Sequence, residues 1–327
     1  SFGSSPSFRA SLPAMRSPKL GLALVFPLLV AFAPACSPTP QAVVVDDDAG
    51  AADGGTPDDA GDDATPGTDS GPAVDAGPPS DFETVNGISA GRAYVAYVPK
   101  KPSSASLPLV FVLHGDGGSG PSMHSYFPFE QTTKNDAIVV FPSGKNGGSW
   151  ELYATPPAGD YPYFDAMFTD FQAKYNTDPK RIFFVGWSQG GFYSNQFSCW
   201  RSKKVRAIVS IAGGAPDSGQ ANYNGPKWPN GSFKCESGQG PVPIMAIHGT
   251  SDNTVVVGSG EYSATYWAAV NGCNGARSAA PAAYSPCELH NNCPAGKEAY
   301  FCPVAGGGHG IWNGSAALGW KFLQTFQ

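Results

Sequence analysis

The chain has 327 residues, a formal net charge of −6 and only 14% charged side chains. That length can bury a large core, and the lack of a long basic block excludes the phosphate-reading footprint of a nucleic-acid binder. The acidity is also local: residues 41–80 hold ten Asp and no Lys or Arg, whereas residues 81–327 carry 17 basic and 16 acidic side chains. Net charge therefore says nothing about the charge of a substrate.

In chain order, residues 1–14 precede Met15, the expected start. Met15 to Lys19 is a short basic stretch, Leu20 to Phe32 is apolar, and Ala33-Pro34-Ala35 is followed by Cys36. This is the layout of a secretion signal. The apolar run is short for a bilayer span and is interrupted by Pro27, which argues against a permanent transmembrane helix. Cys36 resembles the lipidated cysteine of bacterial lipoproteins, although Ala33 stands where Leu is usual. Lipidation with membrane attachment and plain secretion both remain open, and both lead to export. The Asp-, Gly- and Pro-rich stretch lacks the apolar surface needed to offset ordering entropy. It also lacks the spacing and closing Glu of a calcium loop. The expected organisation is residues 1–35 as upstream residues and signal, 36–81 as a disordered tether, and 82–327 as the catalytic domain.

Six cysteines remain in that domain, an even number that favours three disulfides in an exported chain. No C-x2-C pair occurs and the histidines do not cluster with the cysteines, so no metal site is expected. Of the fifteen possible pairings, the expectation is Cys199–Cys235, Cys273–Cys302 and Cys287–Cys293.

"RAYVAYVP" (92–99) alternates like a half-exposed strand. "LPLVFVLHG" (107–115), "AIVVFPSG" (137–144), "RIFFVGW" (181–187), "VRAIVSIAGG" (205–214), "VPIMAIHGT" (242–250) and "EAYFCPVAG" (298–306) are nearly continuous apolar runs. Strands buried on both faces read this way, so a mostly parallel sheet covered by helices is expected. "FDAMFTDFQAKYN" (164–176) has helical spacing, and the stretch 190–203 continues as a helix after the turn at 186–190. The alternation gives the class α/β, in which function gathers in loops at the carboxyl ends of strands.

Those strand ends carry reactive residue types. Ser188 lies in Gly186-Trp187-Ser188-Gln189-Gly190, between a strand and a helix, as a nucleophile elbow requires. A serine hydroxyl needs a base to remove its proton, and His309 in "GGGHG" is the best candidate. Asp252, after the 242–250 strand, can orient the imidazole and stabilise its cation. His114, His124, His248 and His290 compete as bases, with structural hydrogen bonds suiting His114 and His248 better; Asp217 is the alternative acid. For the oxyanion, the expected donors are the backbone N–H of Gln189 and, from "HGDGG", that of Asp116 first and Gly117 second. Trp150, Trp187 and Trp312 lie near the same loops and are candidate substrate walls, with core packing as the rival role.

"LHGDGGSG", "YNTDPKRIFFVGWSQGG", "HGTSD" and "GGGHGIW" together resemble the secreted polyhydroxybutyrate depolymerase and feruloyl esterase-like family, across most of residues 90–327. The resemblance implies an α/β-hydrolase fold, the set Ser188, Asp252 and His309, and no cofactor. It implies esters of plant phenolic acids, acetylated sugars or hydroxyalkanoate polymers as substrates, either small or linked to polysaccharide. The expected function is an exported serine carboxylesterase of feruloyl type. Polyhydroxybutyrate depolymerase and acetylxylan esterase are alternatives, as is a non-catalytic tethered surface binding protein. The oligomeric state is not legible in the sequence.

Overall fold

Apolar runs become central strands because only a strand covered on both faces buries every side chain it carries. In the computed structural model, residues 81–145, 148–235 and 238–326 are described. The expected signal, Cys36 and nearly all of the tether lie outside them. Among the described residues, ten strands form one sheet in the order β1-β2-β4-β3-β5-β6-β7-β10-β9-β8. These are β1 (Phe82–Ser89), β2 (Arg92–Pro99), β3 (Leu109–Leu113), β4 (Ile138–Pro142), β5 (Ile182–Trp187), β6 (Ala207–Ile211), β7 (Ile244–Gly249), β8 (Arg277–Ala279), β9 (Glu288–His290) and β10 (Ala299–Val304). The stretch β4-β3-β5-β6-β7-β10 is parallel throughout. Antiparallel strands extend it at both edges.

The two-residue strand period sorts each side chain to one face or the other. On β5, Ile182 and Phe184 join a core with Phe111, Phe164, Phe197 and Trp267, while Phe183 and Val185 join the opposite one with Val112, Phe141 and Phe322. The first face is covered by α3 (Tyr161–Tyr175), α4 (Gln189–Trp200) and α5 (Val257–Asn271). The second is covered by α1 (Gly120–Tyr126), α2 (Glu130–Thr133) and α6 (Ser315–Gln324).

Three strands were not visible as apolar runs. β1 is mostly exposed and pairs with β2 through a two-residue turn, Ala90 and Gly91, both at positive φ, a hairpin geometry matched to strand twist. β8 and β9 have three residues each and owe their conformation to the edge they extend.

The structure joins Cys199 to Cys235, the pair expected, but corrects the other two. Cys273 is bonded to Cys293 and Cys287 to Cys302, in place of Cys273–Cys302 and Cys287–Cys293. The strand register explains the change. Phe301 faces Glu288 across the antiparallel β9–β10 pair, and the next step outward places Cys302 beside Cys287. Arg277 faces His290, so Cys273 and Cys293 flank the open end of the β8–β9 hairpin. Three disulfides fit a chain that matures in an oxidising, exported setting.

Candidate active site

Ser188 sits between β5 and α4 with φ 53° and ψ −122°, a left-handed conformation that costs a side-chain-bearing residue about 1–3 kcal/mol. Its surroundings enforce it. Ser188 N–H donates to Ile211 O of β6 at 2.9 Å. A Cβ at Gly186 would collide with the Gly190 carbonyl, and one at Gly190 with the carbonyls of Leu113 and His114 at the end of β3. Only glycine at both positions lets helix, turn and neighbouring strand close around the serine.

The loops after β7 and β10 are tied to each other. Ser251 N–H donates to Gly307 O at 2.8 Å, and Gly306 N–H to Thr250 Oγ1 at 2.8 Å. This brings His309 between Ser188 and Asp252. Its Nε2 is 2.9 Å from Ser188 Oγ and its Nδ1 is 2.8 Å from Asp252 Oδ2. Asp252 Oδ1 accepts from the N–H groups of Thr254 and Val255, each at 2.9 Å. Burial pushes the Asp252 carboxyl up, but the hydrogen bonds from His309, Val255 and Thr254 outweigh it, and the net shift is downward from the ordinary carboxylate value. An anionic acceptor on Oδ2 keeps the proton of a neutral His309 on Nδ1, leaving Nε2 as the acceptor for the serine proton.

His248 packs behind this chain. Its Nε2 donates to Val255 O at 2.8 Å and lies 3.2 Å from Asp252 Oδ2, so it braces the acid loop. The sequence favoured a structural hydrogen bond for His248 over the role of base, and its contacts are of that kind.

His114 organises the loop after β3. Its Nδ1 donates to Gly115 O at 2.7 Å and its Nε2 accepts from Gly144 N–H at 2.8 Å. Burial lowers its pKa from the ordinary histidine value, which suits a neutral ring with both nitrogens already bonded. Gly118 N–H closes a turn onto Gly115 O. The N–H groups of Asp116, Gly117 and Gln189 donate to no acceptor among the described residues. Gln189 is the first residue of α4, so its N–H is one of the donors that helix geometry leaves free. Its side-chain Oε1 accepts from Trp150 N–H at 2.8 Å, a link the sequence did not suggest.

The three tryptophans separate. Trp150 is 3% exposed, stacks on Tyr193 and donates its Nε1–H to His114 O at 2.9 Å. It is therefore a core residue supporting the His114 loop, which corrects its expected place in a substrate wall: nothing on its ring is left for a substrate to touch. The Trp187 ring lies 5.6 Å from the His309 ring and 5.6 Å from that of Tyr126. Trp312 lines a cavity of about 260 Å3 together with His309, Gly310 and Ile311. Of the other candidates, Asp217 binds Gln196 Oε1 through its N–H and takes no part in the His309 contacts. His124 contacts Glu130 and Tyr97, and His290 is buried in β9. No group of three or more His, Cys, Asp or Glu side chains suited to a metal occurs among the described residues.

Residues 162–286 match the phospholipase/carboxylesterase family. Feruloyl esterase B of Piromyces equi is 28% identical over 242 residues, covering 67% of this chain and 42% of that protein. A probable feruloyl esterase C of Aspergillus clavatus is 26% identical over 252 residues, covering 72% of this chain and 84% of that protein. In sequence the chain is similar to feruloyl esterases, and its fold is that of the α/β-hydrolases. An acetyl xylan esterase from Aspergillus awamori has the same fold, with a TM-score of 0.59, 19% identity, and coverage of 75% of this chain and all of that one. The sheet of this α/β-hydrolase thus delivers Ser188, Asp252 and His309 from three different strand ends. The chain spans less than half the length of the first of these relatives.

Proposed function

We propose that the protein is an exported serine carboxylesterase of feruloyl type, cleaving esters of hydroxylated aryl-acrylic acids. The observation that carries this reading is the hydrogen-bonded chain Asp252–His309–Ser188 with Ser188 at positive φ on the N-terminus of α4. The identities with feruloyl esterases B and C support the acyl group.

Ser188 Oγ attacks the ester carbonyl carbon while its proton passes to His309 Nε2. The carbonyl π pair moves onto oxygen, where the N–H groups of Gln189 and Asp116, with Gly117 as the alternative, stabilise the negative charge. Asp252 holds the ring and offsets its positive charge. Collapse re-forms the C=O bond and breaks the bond to the alcohol oxygen, which takes the proton from His309 Nε2. A water then repeats the sequence on the acyl-enzyme, releasing the acid and restoring Ser188. None of these steps requires a cofactor.

Intact mass after treatment with phenylmethylsulfonyl fluoride tests the nucleophile, with one adduct expected on Ser188 and none on Ser188→Ala. A panel of methyl ferulate, acetylated xylan, hydroxybutyrate oligomers and peptide amides tests the substrate, with ferulate release expected to be fastest. For export, we place a lipid anchor on Cys36, which lies outside the described residues; loss of a metabolically incorporated fatty-acid label in Cys36→Ala is the expected result.

A further inference from the structure

A cavity of about 370 Å3 lies along α4, on the face covered by α4 and α5, and the catalytic steps above do not use it. Three of its walls continue from pieces of the site, and the others come from the loop after β6 and from residues 231–233. Phe192 and Gln196 are on α4, the helix that Ser188 begins. Leu152 and Tyr153 follow Trp150, whose N–H is bonded to Gln189. Tyr262 is on α5, just beyond the Asp252 loop. Tyr153, Phe192, Phe233 and Tyr262 supply four aromatic rings, and Tyr153 and Tyr262 are 60% and 49% exposed.

Among the described residues, Asp217 at the rim is the only charged one lining the cavity, and Ser232, Ser259 and Gln196 add neutral polar groups. Gln196 is 4% exposed, and its amide orientation is fixed because the Asp217 N–H must find an oxygen, Oε1, at 3.0 Å. Its Nε2 then donates to no acceptor among the described residues, although the residue lines the cavity. An amide donor that faces the cavity instead of a protein acceptor offers a hydrogen bond to a ligand at that point.

From these observations we infer that the cavity bounded by Phe192, Tyr153, Tyr262, Gln196 and Asp217 receives the ring of a phenolic acyl group, with Gln196 Nε2 donating to a ring oxygen. The inference rests on the feruloyl reading and assigns that reading its specificity residues. Three physical points select this occupant. First, the acyl part stays on Ser188, and the cavity contains no residue of the His309 loop. The leaving oxygen must be reached by His309 Nε2, so the alcohol belongs on the side of Gly310, Ile311 and Trp312. Second, Gln196 follows Ser188 by eight residues, about 12 Å along the helix axis, shortened by a side chain that leans toward the N-terminus. A rigid spacer between carbonyl and ring spans that gap, whereas an acetyl or benzoyl group falls short. Third, Asp217 repels a carboxylate but accepts from a phenol, so a neutral hydroxylated ring is preferred.

The test compares kcat/KM for methyl ferulate, arabinosyl ferulate, methyl cinnamate, methyl benzoate and 4-nitrophenyl acetate, with active sites counted by the nitrophenol burst. Ser259→Phe, at the half-buried edge of the cavity, fills the slot. It should lower the ferulate-to-acetate ratio about 30-fold, mainly through KM, as expected for denying burial to one aromatic ring. Gln196→Met keeps the length and removes the amide, and should cut the ferulate-to-cinnamate ratio about tenfold. The inference is overturned if both ratios stay at wild-type values in an enzyme that does hydrolyse methyl ferulate, a result that leaves the feruloyl reading intact. It is also overturned if Ser259→Phe discriminates between methyl and arabinosyl ferulate rather than between acyl groups, since the cavity would then hold the alcohol. A wild type that turns over the acetate and none of the aryl-acrylic esters removes the feruloyl reading, and this assignment with it.

Discussion

Asp252→Asn isolates what the buried carboxylate does. Asp252 Oδ1 accepts two backbone N–H bonds, from Thr254 and Val255, and Oδ2 faces His309 Nδ1. In the variant only the amide oxygen can sit opposite the two N–H donors, so the NH2 group is forced into the Oδ2 position. A donor there compels His309 Nδ1 to accept, which moves the ring proton to Nε2. The base then presents N–H to Ser188 Oγ and cannot take its proton. With position retained and tautomer reversed, kcat should fall about 10^3 to 10^4-fold, or about 4 to 5.5 kcal/mol of transition-state stabilisation. KM should stay within about threefold, because no group that holds the ester has moved. The assay is steady-state turnover of 4-nitrophenyl acetate, with thermal melting as a check on the fold. A loss below tenfold, or one matched by a large drop in melting temperature, would refute the tautomer argument.

Asp116→Pro removes one proposed oxyanion N–H while keeping the Gly115–Gly118 turn, in which proline suits the second position. A fall of about 10^2 to 10^3 in kcat is expected, with Asp116→Ala as the control for the lost Ser149 contact. Trp150→Phe leaves the His114 carbonyl without its indole donor and should cost about 1–3 kcal/mol in denaturant unfolding. Stability should fall as pH is lowered from 7 toward 5. His114 and His290 have folded-state pKa values lowered by burial, so below about 6.5 the unfolded chain binds more protons and is favoured. At lower pH the depressed Asp252 carboxyl adds to this: its stabilisation is present above about pH 4 and is lost as pH falls through its folded value. Denaturant midpoints measured across this range give the sign. Non-reducing peptide mapping should recover Cys287–Cys302 and Cys273–Cys293, and replacing the former pair by serine should cost about 3 kcal/mol.

Sequence alone carried the parts of this protein that depend on local pattern. Continuous apolar runs marked the central strands because burial on both faces leaves no polar position. The turn around Ser188 was legible because glycines at 186 and 190 mark close backbone approach, and the order Ser188, Asp252, His309 placed three reactive types at three strand ends. Tertiary structure decided what depends on register and on which side of a loop a ring faces. β8 and β9 are too short to announce themselves, yet their pairing determines which cysteines meet. Trp150 sits in a loop near the site, and only packing shows its indole turned inward to hold the His114 carbonyl. Gln196 lies in mid-helix with nothing in its neighbours to distinguish it. Its unpaired amide becomes visible only when the loop after β6 takes its oxygen and leaves its nitrogen facing an aromatic cavity. A pattern of residue types can be read along the chain, but a hydrogen bond left unmade requires every neighbour in place.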